Sequence, residues 1–200
     1  MTGGNLAAIN RGELLVPGKG TAMERGSLDR LISVIGLVLT VVFVVAGALL
    51  MWGGNFAKST VTDQLSAQKI AFDADAANLP PELASWAGVA VTDGPSAKAY
   101  SDMIAIHVAG ATQGKSYSEV SGDWFAAGKP GPAADQNTPS AYDVRMTAFM
   151  GETLRGVLLN AYAFWTLGTI AVYAAWAAWV AAVVMLILSI MGFRHSKKTA

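Results

Sequence analysis

The chain has 200 residues, 53% of them apolar and only 14% charged, with equal numbers of basic and acidic side chains and no cysteine. That balance belongs to a membrane protein more than to an ordinary soluble domain. Without cysteine, disulfides, thiolate zinc sites, iron–sulfur clusters and nucleophilic thiols are excluded.

The zero net charge conceals a division along the chain. Arg11, Lys19, Arg25, Arg30, Arg194, Lys197 and Lys198 lie in the two tails against Glu13, Glu24 and Asp29, whereas the middle holds seven basic residues against eleven carboxylates. The positive-inside rule therefore predicts an inner-membrane protein with both termini cytoplasmic and the middle extracytoplasmic. Lys19, Arg25 and Arg30 lie within reach of anionic headgroups, although service as a topology signal accounts for them. No nucleic-acid partner is expected.

Residues 1–30 are predicted as a cytoplasmic tail, rich in Gly up to about Met23, interrupted by Pro17 and without periodicity. An uncharged apolar run follows over 31–52, the length of one crossing. Ala46-Gly47-Ala48 has the small-x-small form of a cleavage site, but the run exceeds the roughly 7–15 apolar residues of a signal peptide. It is predicted to be an uncleaved first transmembrane helix, with Trp52 at its outer interface.

Residues 53–172 are expected to form an extracytoplasmic helical domain, because no run of alternating β-branched residues is found there. Val61, Leu65 and Ile70 share one face of a helix over 60–70, with Asp63 and Gln64 outward. Asn78-Leu79-Pro80-Pro81 ends what precedes it, and Pro81 opens a short helix through Trp86. Asp93 caps a helix over 95–109 that aligns Tyr100, Ile104, His107 and Val108 and stops at Gly110 and Gly114. Ser116 with Glu119 has the capping-box form for a helix over 117–124. Gly122 to Pro139 reads as a surface loop, and Ser140 with Asp143 caps the last helix.

That last helix is the informative one. No Asp, Glu, Lys or Arg occurs from Gly156 to Phe193, nearly twice the roughly 20 residues that one crossing requires. Counting back from Arg194 to the interfacial Tyr173 and Trp176 places the second transmembrane helix at 173–193, followed by a cytoplasmic tail at 194–200. The helix is expected to extend above the bilayer over 156–172, where its apolar surface must be covered by protein. Gly151, Gly156 and Gly168 weaken it by about 1 kcal/mol each relative to Ala and make kinks plausible.

Four phrases, Val61-Thr62-Asp63-Gln64-Leu65-Ser66-Ala67-Gln68, Ala99-Tyr100-Ser101-Asp102-Met103-Ile104-Ala105-Ile106-His107, Gly114-Lys115-Ser116-Tyr117-Ser118-Glu119-Val120-Ser121 and Phe149-Met150-Gly151-Glu152-Thr153-Leu154-Arg155-Gly156, resemble a family of mostly uncharacterised actinobacterial two-span membrane proteins. Some members carry the label of an aromatic ring-opening dioxygenase subunit. The resemblance covers roughly residues 61–164, implies an actinobacterial inner-membrane protein and supplies no catalytic residue. A weaker resemblance is to the accessory proteins of the actinobacterial cytochrome bcc-aa3 respiratory supercomplex.

The chemical alternatives fail on ligand arithmetic. A ring-opening dioxygenase holds iron with two His and a carboxylate, and the only two here, His107 and His195, are predicted on opposite sides of the membrane. His107 with Asp102, Glu119 or Asp123 is a poor metal site, because a single His on a helix face is more often packed or hydrogen-bonded. Gly110-Ala111-Thr112-Gln113-Gly114-Lys115-Ser116 has three residues between its glycines where a phosphate loop has four. Ser101, His107 and Asp102 lack the elbow that presents a hydrolase serine. No catalytic residue, cofactor or metal is assigned, and the chain is not expected to be an enzyme.

The expectation is an all-α membrane protein acting as a non-catalytic accessory or scaffold subunit of a larger inner-membrane complex. Its partners would be membrane lipid and other inner-membrane proteins or a second copy. Ala174, Ala178 and Ala182 recur every four residues and let a helix approach closely; that helix is either residues 31–52 of the same chain or another polypeptide. Leu158, Tyr162 and Trp165 are the expected contacts outside the bilayer. The alternative is an extracytoplasmic binding module for a lipid or small apolar ligand, lined by Tyr100, Ile104, Tyr162 and Trp165.

Overall fold

The computed structural model describes residues 19–135 and 138–199, with side chains from Ser27 onward except at 196, 198 and 199. The expected tail over 1–18 lies outside the described residues. Helix α1 runs from Lys19–Gln68, α2 from Gly94–Thr112, α3 from Tyr117–Ala126 and α4 from Ala141–Thr199, with two short 3-10 turns at Ala76–Asn78 and Pro81–Trp86. Among the described residues there is no strand, only a bridge between Ala71 and Ala90. Two helices, α1 and α4, are long and apolar enough to cross a membrane, consistent with a membrane protein.

Several expected boundaries move. The helix at the first crossing and the helix over 60–70 are one element, because neither Gly53 nor Gly54 breaks α1. At Gly54 the backbones of α1 and α4 lie close together: a Cβ there would meet the Gly168 carbonyl at 2.6 Å, and one on Gly168 would meet the Gly54 carbonyl at 2.8 Å. Such close backbone approach offsets the propensity cost of glycine in a helix. Gly151 packs closely against Val108, so Gly151 and Gly168 admit neighbours of α4, whereas Gly156, also expected to weaken it, faces open space. Part of the expected tail is also helical, from Lys19 onward. Helix α2 passes Gly110 and ends in left-handed geometry at Gln113 (φ 57°) and Gly114 (φ 78°), where the Gly114 amide donates back to the Ala109 carbonyl at 2.8 Å.

The chain divides into two compact units, one formed by residues up to Ala46 with those from Ala177 onward, the other by Gly47–Trp176. The second holds the hydrophobic core. Val61 and Leu65 from α1, Phe72, Leu79, Leu83 and Val91 from the connecting segment, Ala97, Ala99 and Met103 from α2, and Leu158 from α4 are all buried. The connecting segment keeps its shape through paired backbone bonds, from the Phe72 amide to the Val89 carbonyl (3.0 Å) and from the Val91 amide to the Ile70 carbonyl (2.9 Å).

The starts of α2, α3 and α4 are chemically specified. Asp93 accepts from the Ser96 amide at 2.8 Å while Ser96 Oγ accepts from the Asp93 amide at 3.1 Å, a complete capping box. Ser116 and Glu119 make another at α3. At α4 the Asp143 carboxylate accepts from the amides of Ser140 (2.9 Å) and Ala133 (3.0 Å). Arg145 fixes α3 to α4: its guanidinium lies 4.4 Å from the Trp124 ring and donates to Ser121 Oγ (3.2 Å) and Tyr117 Oη (3.1 Å).

Candidate partner-contact surface

In the unit formed by the described residues up to Ala46 and from Ala177 onward, α1 and α4 run antiparallel and interlock through matching Ser-x-x-Gly pairs. A Cβ on Gly36 would collide with Ser189 Oγ, and one on Gly192 with Ser33 Oγ. The hydroxyls themselves are satisfied within their helices, Ser33 donating to the Asp29 carbonyl (2.7 Å) and Ser189 to the Met185 carbonyl (2.8 Å). They therefore act as small compact knobs and leave no donor exposed to lipid. Trp179 Nε1 reaches the Val44 carbonyl at 3.4 Å. Ala182, two turns before Ser189 on the same face, is buried, and Ala178 is half-buried. The alanine stripe thus lies on the face that α1 of the same chain occupies in this unit. Its first member, Ala174, belongs to the other unit and is half-buried beside the fully buried Ala175.

The three expected contacts on the upper part of α4 separate. Leu158 is 4% exposed and belongs to the core. Trp165 packs over Gly94, where a Cβ would meet its ring at about 2.5 Å, and carries Lys58 Nζ 4.7 Å from its centroid. Tyr162 is exposed along a shallow groove with Leu83, Trp86 and Pro95. Of the residues expected to line a ligand site, three are packed: Tyr100 meets Phe72 edge-on at 5.2 Å, and Ile104 and Trp165 pack on the core, while Tyr162 borders the shallow groove.

What the sequence reading missed is a second stripe on α4. Met150, Leu154, Val157 and Phe164 are all more than half exposed. Their spacing of four, three and seven residues puts them on one face, about a quarter turn from the core-facing line of Gly151 and Leu158. No signal in the sequence separated the two faces, because both are apolar and the period of 3.6 is lost between them. At the level of Val157 and Phe164, α1 is polar on its outside, with Ser59, Asp63 and Ser66 exposed. The level is fixed by Lys58 over Trp165 and by a cavity bounded by Thr60, Gln64 and Gln68 on one side and Val157, Asn160 and Phe164 on the other. That cavity, about 520 Å³ in volume, also lies away from the lining expected from sequence.

Among the candidate reactive groups, the carboxylates are engaged elsewhere. His107 is exposed, whereas a packed or bonded position was expected. Asp102 pairs with Lys98 at 2.6 Å, Asp123 with Lys115 at 2.8 Å, and Glu119 caps α3. Among the described residues no group of three or more His, Asp or Glu is placed to hold a metal. The hydrogen bonds from the Ser116 amide and hydroxyl hold the Glu119 carboxyl below its ordinary range, so the start of α3 after Gly114-Lys115 already holds its own anion. Asp123 raises Lys115 through their hydrogen bond.

No protein-family model, curated protein or solved structure matches the chain.

Proposed function

We propose that this protein is a non-catalytic accessory or scaffold subunit of a larger inner-membrane assembly, and that the Met150, Leu154, Val157 and Phe164 face of α4 meets another integral membrane polypeptide. Both termini are cytoplasmic and residues 53–172 extracytoplasmic in this proposal, following the distribution of basic residues. One observation carries it: Val157 and Phe164 are exposed on α4 near the height where α1 exposes Asp63 and Ser66, and Leu154 and Met150 continue the same face toward and past the end of α1. Hydrocarbon covering the first set would also bury a carboxylate, which costs about 2.5 kcal/mol or more. Water would leave a contiguous greasy stripe bare, which marks an interaction surface. A protein neighbour satisfies both sides. The resemblance to accessory proteins of the bcc-aa3 supercomplex makes that assembly the first to test.

The experiment is photocrosslinking in native membranes from a benzophenone amino acid at position 150 or 154, with Val38 as a lipid-facing control. A discrete heteromeric product at 150 and 154, absent at 38 and abolished by Leu154→Glu, supports the proposal. Crosslinks to lipid alone at all three positions, with a clean monomer in mild detergent, overturn it.

A further inference from the structure

The cavity between α1 and α4 has a lining that sorts by chemistry. Phe56, Val61, Leu65, Val157 and Phe164 give it apolar walls, while Thr60, Gln64, Gln68 and Asn160 supply neutral polar atoms and no charged side chain takes part. The amides of Gln64, Gln68 and Asn160 are exposed and make no hydrogen bond with another described residue. The volume, about 520 Å³, falls within the roughly 300–1,000 Å³ of small-molecule sites, which pair apolar walls with a few polar anchors. Its position along α1 is also informative. Phe56 stacks on Trp52 at 5.8 Å, at the end of the exposed apolar run that begins at Leu28, whereas Gln64 and Gln68 lie two to three turns further on.

We infer that this groove holds one acyl chain of a membrane glycerolipid, the tail running past Val61 and Phe56 toward the apolar part of α1 and the ester end meeting Gln64, Gln68 and Asn160. Side-chain amides donate to ester carbonyls without needing a countercharge, which the uncharged lining would not supply. A phosphate or a free carboxylate finds no cation among the lining residues, which selects the ester region over an ionic headgroup. The chain enters from the end where α1 is apolar, so no polar group has to cross hydrocarbon. This inference rests on the membrane placement of α1 and α4; Val157 and Phe164 border both the groove and the docking face, whereas Met150 and Leu154 lie outside the groove and report on docking alone.

The test reconstitutes the full chain in phosphatidylethanolamine–phosphatidylglycerol vesicles containing a phosphatidylethanolamine with a diazirine on one acyl chain, and maps the crosslinks by mass spectrometry. Labelling is expected to concentrate on Phe56, Val61, Leu65 and Val157 above the general background at Val38 and Val42. Replacing Gln64, Gln68 and Asn160 by Leu alters only exposed positions and is expected to lower groove labelling by about fivefold, the weight of roughly one net hydrogen bond. Groove labelling no higher than at Val38, or unchanged in the triple variant, overturns the inference. So does a groove shielded from lipid by a second copy, seen as crosslinks between two copies of the chain from a benzophenone at position 60, on the α1 wall of the groove. The crosslinks from positions 150 and 154 in native membranes report separately on the docking proposal.

Discussion

At the scale of single residues, position on α4 decides energetic weight more than residue type does. Leu154 and Leu158 are chemically identical and one turn apart, yet the first is 56% exposed and the second 4%. Leu158→Ala is expected to cost roughly 2–5 kcal/mol by leaving a cavity in the core, against about 0.5 kcal/mol or less for Leu154→Ala. Thermal unfolding of both variants in the same detergent checks the assignment, and equal losses would contradict it. The capping residues were legible because each cap rests on a local pattern of a few side chains: Asp93 with Ser96, Ser116 with Glu119, and Ser140 with Asp143 were all readable or half-readable from spacing. The exposure of His107 was not, because the three- and four-residue spacings that placed it on a packed face cannot tell the core side of α2 from its flank. The Glu119 carboxyl also sets a pH dependence. Held low by hydrogen bonds from Ser116, it contributes stability that is present above its unfolded value and lost as pH falls through the folded one. Ser116→Ala is expected to move the Glu119 titration, followed by carboxyl NMR shift, up toward the ordinary range.

At the scale of elements, α1 and α4 show what patterning conveys and what it hides. Their apolar character follows directly from composition, and the start of α4 at Ala141 from the Ser140 and Asp143 cap. The fusion of 31–52 with 60–70 was hidden, because Gly53-Gly54 reads as a break when only propensity is weighed and as a contact once Gly168 is opposite. The pairing of the two helices was visible only as an alternative, since the alanine stripe gives a smooth face without saying what fills it. The Ser-x-x-Gly pairs give the answer. Gly36→Ser alone is expected to destabilise the hairpin by about 1–3 kcal/mol through overpacking, and adding Ser189→Gly should restore most of it. A double-mutant cycle in detergent reads the coupling, and additive effects would show that the two positions do not share space.

At the scale of the whole molecule, the absence of cysteine makes the topology directly measurable with single introduced thiols. Ser66→Cys is expected to react with a membrane-impermeant maleimide in intact cells, and Met150→Cys to react slowly there and quickly after purification strips its neighbour. Reversed behaviour at Ser66 would place residues 53–172 on the other side of the membrane. Rapid labelling of position 150 in cells would leave α4 without its proposed partner.

The matched notches of α1 and α4 carry one more consequence. Sliding the pair until Gly36 faces Gly192 opens a hole, while sliding the other way drives the hydroxymethyls of Ser33 and Ser189 into the same space. Each wrong alignment is punished by a different defect, so the two strokes act like the wards of a lock, and the hairpin has one seating.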